Sequence, residues 1–279
     1  MGKSGTQLAA EEFDLGLTLN SGQIFHAMEI GEGIWEVLCG EKLLRLKQSG
    51  EGVEVLKGDP LVVARYLALD HPVGRIHASF PMDDYSQAAL AECRGLRIIR
   101  QPLWECLATF LTSPMKQVAH IRQMSLAVRE RFGKPVTGSL VQAYPEPDVV
   151  SGLDEAQLRA CGLGFRAKNV LASARRIAEG KVDLEALREL PTEKLRETLC
   201  QFPGVGRKVA NCVALFAYER LDAVPVDVWV ARITTAMRKR KGSPLKLEAY
   251  AGRRFGPYAG YVQQYLFHHA RTTGKLPGE

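Results

Sequence analysis

Before Gln101 the apolar positions of this chain mostly alternate; beyond it they recur every three or four residues. The first spacing belongs to strands and the second to helices. Phe13, Leu15, Leu17 and Leu19 share one face of an extended run. Further strands are expected over Ile24–Ile30, Ile34–Cys39, Leu43–Lys47 and Val53–Lys57, punctuated by Gly22, Gly31, Gly33, Gly40 and Gly50. The pattern reads as an antiparallel sheet of hairpins. Asp59-Pro60 then opens a helix through Leu69, with Asp as cap and Pro in the first turn. A second helix begins at Asp83 or Asp84 and ends before Gly95.

From Gln101 the spacing predicts helices over Pro102–Leu111, Gln117–Phe132, Asp154–Cys161, Phe165–Glu179, Leu184–Leu190, Thr192–Leu199, Arg207–Tyr218, Val228–Arg238, Leu247–Phe255 and Pro257–Thr273. Gly133, Gly162 and Gly180 stand where helices should stop. Lys134–Asp148, with prolines at 135, 145 and 147, is a loop or a joint between subdomains. The expected class is therefore α+β. A β-rich N-terminal domain with two helices fills 1–100, and a mostly α-helical body fills 101–279. No repeat and no transmembrane run is present in the sequence.

Composition narrows this only a little. The 279 residues are 46% hydrophobic and 24% charged, ordinary for a globular chain with sizeable cores. A formal charge of +6 fits a polyanionic partner without requiring one. The six cysteines, Cys39, Cys93, Cys106, Cys161, Cys200 and Cys212, form no C-x-x-C pair, which argues against a structural zinc site or an iron–sulfur cluster. No secretory signal is read. Reduced thiols and an intracellular location follow: cytoplasm or nucleoid in a bacterium, nucleus in a eukaryote. Met1-Gly2-Lys3-Ser4-Gly5-Thr6 matches loose lipidation and phosphate-loop patterns and is read as an unstructured start.

The stretch that carries chemistry is Leu199-Cys200-Gln201-Phe202-Pro203-Gly204-Val205-Gly206-Arg207-Lys208. One helix runs into it and another leaves it, and Pro203, Gly204 and Gly206 force a tight hairpin between them. Glycine lets the backbone turn sharply and approach a ligand closely. Amides at a helix start bind phosphate without reading a base. This is a helix–hairpin–helix, spanning about 192–219, and a sequence-tolerant clamp on a DNA backbone. Lys208 stands in the first turn of the second helix, whose positive end disfavours an ammonium; a lysine so placed is a nucleophile. Asp227, in Val224-Pro225-Val226-Asp227-Val228, sits at an expected N-cap. An amine and a fixed carboxylate suit attack at a sugar C1′, the carboxylate steadying the positive charge that develops there. Taken singly, each residue also reads blandly, the lysine as a solvated charge and the aspartate as a cap. The Arg238-Lys239-Arg240-Lys241 run is equally a phosphate contact or a solvated helix end.

From about Leu15 to Phe267 the chain resembles the 8-oxoguanine DNA glycosylase/lyase family, within the helix–hairpin–helix Gly-Pro-Asp superfamily. The blocks that carry the resemblance are Ser21-Gly22-Gln23-x-Phe25, Gln101-Pro102-x-x-Glu105-Cys106, Gly162-Leu163-Gly164-Phe165-Arg166-Ala167, Pro203-Gly204-Val205-Gly206-x-Lys208-Val209-Ala210, Val224-Pro225-Val226-Asp227-Val228 and Gly256-Pro257-Tyr258-Ala259-Gly260. The resemblance implies a helix–hairpin–helix glycosylase body that excises 8-oxoguanine from duplex DNA. It makes Lys208 the Schiff-base nucleophile and Asp227 its assistant, with β-elimination nicking the strand. It gives the Gly22 carbonyl to the N7–H that distinguishes the lesion from guanine. Gln263 is set to read the Watson–Crick edge, Phe267 and Cys212 to sandwich the extruded base beside Pro225, and Phe165 and Arg166 to form the wedge, the aromatic prising the stack and the arginine pointing toward the unpaired partner base. Backbone contacts fall to Gly204, Gly206, Lys116, His120 and Trp229. No redox or catalytic metal cofactor is implied; a cation held by hairpin carbonyls between Phe202 and Val205 is left open. The implied partner is double-stranded DNA containing 8-oxoguanine, bound by a monomer with no membrane involved.

The chain departs from the family at the residues that face the orphaned cytosine. An asparagine run is replaced by Ser113-Pro114-Met115-Lys116-Gln117, His120 stands in place of an arginine, and Trp229 in place of a phosphate-binding histidine. Met115 offers no strong donor or acceptor, so a relaxed opposite-base preference is expected. Two other classes compete: a monofunctional alkylated-base glycosylase on the same scaffold, which needs only the aspartate and water, and a non-catalytic helix–hairpin–helix DNA-binding protein.

Overall fold

The computed structural model describes residues 5–50 and 52–278. Five strands, β1 (Thr6–Leu8), β2 (Met28–Glu29), β3 (Ile34–Cys39), β4 (Lys42–Ser49) and β5 (Gly52–Lys57), form one sheet in the order β1-β5-β4-β3-β2. Every neighbouring pair is antiparallel. Val37, Leu44, Leu46 and Val53 turn inward and are fully buried. Each contributes roughly 1.5–3 kcal/mol relative to an exposed side chain.

The order of the first sixty residues differs from the expectation at three points. Phe13–Leu19 is not a strand: Leu15–Asn20 forms helix α1. Asp14 caps it, accepting the Leu17 amide at 2.7 Å, and Leu15, Thr18 and Leu19 face the core at helical spacing. Over so short a run, leucines at alternate positions satisfy either period, and the cap decides. Ile24–Ile30 is strand only at Met28–Glu29, and the chain before it is irregular, with the Gln23 side chain holding the Arg97 carbonyl and the Ile99 amide. The start of the chain is ordered from Gly5, with Thr6–Leu8 pairing to Val53–Val55 at the sheet edge; Met1–Ser4 lie outside the described residues.

Helices α2 (Pro60–Tyr66), α3 (Val73–Ala78) and α4 (Asp84–Glu92) follow. Asp59 and Asp83 cap α2 and α4 through the Leu61 and Ser86 amides, both at 2.9 Å. The short α3 went unpredicted: it has no side-chain cap, and burial of Val73 and Ile76 holds it. The remaining helices are α5 (Leu103–Leu111), α6 (Val118–Phe132), α7 (Pro147–Ser151), α8 (Glu155–Leu158), α9 (Ala167–Ala178), α10 (Thr192–Leu199), α11 (Arg207–Phe216), α12 (Val228–Arg238), α13 (Pro244–Phe255) and α14 (Ala259–Thr273). Two expected helices shrink. Asp154–Cys161 is regular only over α8 before a wide turn at Arg159–Leu163, and Leu184–Leu190 is a single 3-10 turn, Ala186–Glu189. Among the described residues no helix is long and apolar enough to cross a membrane.

α5 is buried along its whole length, with α9 and α11 packed against it. It is the mast of the helical core. Ile76, Phe80, Ala89, Cys93 and Leu96 join that core rather than the sheet's. The two parts are also stitched by buried polar groups. Glu105 on α5 meets Arg129 on α6, and its carboxylate lies 3.2 Å from His26 Nδ1, whose Nε2 contacts the Leu38 carbonyl at 2.8 Å. Burial pushes the Glu105 carboxyl up, and the Arg129 guanidinium opposes that.

Candidate active site

The hairpin is built by α10, a Pro203-Gly204 turn and α11. Gly204 carries the turn at φ +79°, a conformation that L side chains rarely adopt, and a Cβ there would press on Asn169. Gly206 is different. Its φ is −91°, and a Cβ would meet nothing within 4 Å. It is the N-cap of α11 and faces open space, so its value to the hairpin is access rather than backbone freedom. The Phe202 carbonyl closes the turn by accepting the Val205 amide at 3.1 Å, and both side chains are buried.

α11 presents Lys208 one turn ahead of Cys212. Lys208 Nζ donates to Ser113 Oγ at 2.9 Å and lies 5.6 Å from the Phe110 ring centroid. Burial pushes the Cys212 thiol up to about 11 despite the nearby lysine, so the thiol keeps its proton at neutral pH. Cys212 is a small, buried thiol one turn from the amine.

Asp227 caps α12, accepting the Val230 amide at 2.8 Å. Burial pushes its carboxyl up; the Val230 amide and the Lys208 charge pull it back without cancelling the shift. Asn211, also on α11, donates from Nδ2 to the Val224 carbonyl at 3.0 Å. That bond ties the segment carrying Pro225 and Asp227 to the helix carrying Lys208. Pro225 is buried beside it.

Gly22 sits in a turn at φ +87°. Gln23 locks this turn with bonds to the Thr18 and Arg97 carbonyls, at 3.1 and 2.7 Å, and Gln101 Nε2 holds the Gln23 carbonyl at 2.7 Å. From the other side, Gln264 on α14 donates to the Ser21 carbonyl at 3.1 Å. A Cβ on Gly22 would lie 3.7 Å from the Phe267 ring. Gln263, one turn before Phe267, is 4% exposed, and its Oε1 is buried with no hydrogen-bond partner. A buried amide oxygen left unpaired is costly unless a ligand or water completes it.

A family model described as the N-terminal domain of 8-oxoguanine DNA glycosylase matches residues 6–107. The probable N-glycosylase/DNA lyase of Methanothermobacter thermautotrophicus is 28% identical over 299 residues, covering 95% of this chain and 96% of its own. MBOgg1, solved in complex with a low-affinity DNA ligand, superposes with a TM-score of 0.92 at 30% identity, covering 98% of each chain. The chain belongs to the 8-oxoguanine DNA glycosylase/lyase family.

A second structural relative of the glycosylase is the 8-oxoguanine glycosylase/lyase of Clostridium acetobutylicum, solved with double-stranded DNA containing cytosine opposite 8-oxoG. It has a TM-score of 0.90 at 26% identity, covering 99% of this chain and 100% of that one. The glycosylase's expected DNA-facing residues are scattered more widely than its pocket. Lys116 and His120 are exposed at the start of α6. Trp229 is half-buried, with the Arg232 guanidinium 5.6 Å from its ring centroid. Phe165 is 52% exposed.

Arg166, expected to point toward the unpaired partner base, folds against its own chain in this structure. It is buried at 4% exposure; its guanidinium lies 4.3 Å from the Phe165 ring centroid, and its Nε donates to the Pro114 carbonyl at 3.0 Å. In this structure of the glycosylase it braces the Ser113–Lys116 corner. Met115, at the tip of that corner, has φ +59° and is 91% exposed. Arg238 folds back to the Lys241 carbonyl at 3.1 Å, the behaviour of a helix end. Sequence reasoning missed two residues that touch the site machinery, Ser113 and Asn211. Asn211 lies three residues after Lys208 on α11, a spacing that was open to reading; the contact from Ser113 spans 95 positions and was not.

Proposed function

We propose that the protein is a bifunctional glycosylase/lyase that removes 8-oxoguanine from duplex DNA through a Schiff base on Lys208. The observation that carries this reading is the grouping of Lys208, Cys212 and Asp227 across one hydrogen-bonded joint, with Ser113 against the amine. The relatives support the substrate class: the MBOgg1 structure holds a DNA ligand, and the Clostridium structure holds DNA with cytosine opposite 8-oxoG.

In this mechanism the deprotonated Lys208 amine attacks C1′ of the damaged nucleotide. The N-glycosidic bond breaks, and its electron pair leaves with the base, which takes up a proton. Asp227 offsets the positive charge that builds on the sugar. The resulting aminal opens as the C1′–O4′ bond breaks and O4′ takes up a proton, leaving an iminium between C1′ and Lys208 that makes the 2′ proton acidic. Its removal expels the 3′ phosphate and nicks the strand. Water as nucleophile would stop after base loss, so the lysine separates a lyase from a monofunctional enzyme.

Recognition rests on the Gly22 turn. The Gly22 carbonyl accepts N7–H of the lesion and repels the N7 lone pair of guanine. The unpaired Gln263 oxygen offers an acceptor for the donors on the base's Watson–Crick edge. Met115 and His120 supply weaker readers of the opposite base than an asparagine and an arginine would, so preference for cytosine is relaxed.

Borohydride trapping tests the reading. Wild-type protein should form a covalent adduct with 8-oxoguanine duplex, and Lys208→Gln should form none. An adduct that persists in Lys208→Gln, or base release without strand incision in the wild type, overturns it.

A further inference from the structure

We infer that Ser113 is a positioning residue that aims the Lys208 amine. The inference rests on the reading of Lys208 as the nucleophile. It begins with the Ser113 hydroxyl, which has one proton and two lone pairs. The proton is committed: Ser113 Oγ donates to the Phe110 carbonyl at 2.7 Å, at the end of α5. Towards Lys208 the same oxygen is therefore an acceptor only, at 2.9 Å.

An acceptor at that place constrains direction. A neutral amine has two N–H bonds and one lone pair. One N–H is taken by Ser113. That bond restricts rotation about Cε–Nζ: with one N–H fixed on Ser113, the lone pair is confined to two of the three positions around nitrogen. Without the Ser113 oxygen the amine rotates, and its lone pair samples directions from which C1′ cannot be reached. Orientation of this kind is worth a great deal when attack requires aligned orbitals at close range.

The oxygen is itself held from several sides. The Ser113 amide is bonded to the Phe110 carbonyl and the Ser113 carbonyl to the Lys116 amide, each at 3.1 Å. The next residue, Pro114, is braced by Arg166. Ser113 is buried, so water does not readily replace it. The full α5 mast stands behind it, with hydroxyls of Thr109 and Thr112 bonding back to helix carbonyls in the same manner.

The test compares Ser113→Thr with Ser113→Val, which have nearly the same shape and differ in the hydroxyl, and adds Ser113→Ala. The readouts are single-turnover borohydride trapping on 8-oxoguanine duplex, its pH profile, and equilibrium affinity for the same DNA. The expected result is trapping near the wild-type rate for Ser113→Thr and a fall of about 10- to 100-fold for Ser113→Val and Ser113→Ala. DNA affinity should be unchanged in all three. The deficit should persist across the whole pH profile, because the defect is one of aim. Trapping at the wild-type rate in Ser113→Ala overturns the inference, as does an equal loss in Ser113→Thr and Ser113→Val. Lys208→Gln runs alongside: if it still traps, the nucleophile is misassigned, an outcome distinct from any result at Ser113.

Discussion

Asn211 Nδ2 donates to the Val224 carbonyl at 3.0 Å, and this bond sets where Asp227 stands relative to Lys208. Asn211 shares a helix face with Lys208, and Val224 begins the segment that Asp227 ends. Replacing Asn211 by Ala leaves the carbonyl buried and unpaired, at about 1–3 kcal/mol. Urea unfolding should show that loss. Excision should fall by more than DNA affinity does, since the carboxylate is displaced and the clamp is not. Equal losses in both would mean the joint does not position the site.

Asp227 is expected to cost the protein stability. Its folded pKa is raised, so the folded state holds the proton more tightly than the unfolded chain does. Stability is therefore lost as pH rises from the ordinary carboxylate value through the raised one, and at neutral pH the ionised group is a net burden. Asn keeps an oxygen for the Val230 amide and removes the charge. Asp227→Asn should melt at or above the wild-type temperature at neutral pH, with the difference closing in acid, while excision collapses. A lower melting temperature at neutral pH would contradict the burial argument.

Gly22→Ala should separate base recognition from strand nicking. The positive φ costs an alanine roughly 1–2 kcal/mol. Its methyl would sit 3.2 Å from Val118 Cγ2 and 3.7 Å from Phe267 Cε1, on the side where the base is expected. Removal of 8-oxoguanine should fail, while nicking of a preformed abasic site, which has no base to seat, should survive. Parallel loss of both activities would show that the turn serves the fold and not the base.

Opposite-base selectivity is expected to be shallow. Met115 stands exposed at the tip of its corner with no strong donor, and Arg166 is occupied by the Pro114 carbonyl. Cytosine should be favoured over the other bases by ~1–3 kcal/mol less than an asparagine and an arginine would give. Incision of 8-oxoguanine duplexes with each of the four opposite bases measures this directly. A steep preference for cytosine would imply that Arg166 leaves Pro114 when DNA binds.

Much of the helical body was legible because its signals are local. Caps at Asp59, Asp83 and Asp227 lie beside the helices they start, and the Pro203-Gly204 turn needs only its own residues to specify φ +79°. Where two periods fit a short run, as at Leu15–Leu19, the cap at Asp14 and the core beneath it chose the helix. α3 has no side-chain cap, and its Val73 and Ile76 are buried.

By itself the sequence determined most of the strand and helix periods and the hairpin, and offered the candidate reactive groups, since each depends on residue type and on neighbours a turn away. Which of those groups meet was decided only by the tertiary structure. Ser113 reaches Lys208 because α11 packs on α5, and Arg166 reaches Pro114 because α9 packs on it too. A hydrogen bond needs its partners within about 3 Å, and only the packed core brings residues so far apart in the chain to that distance.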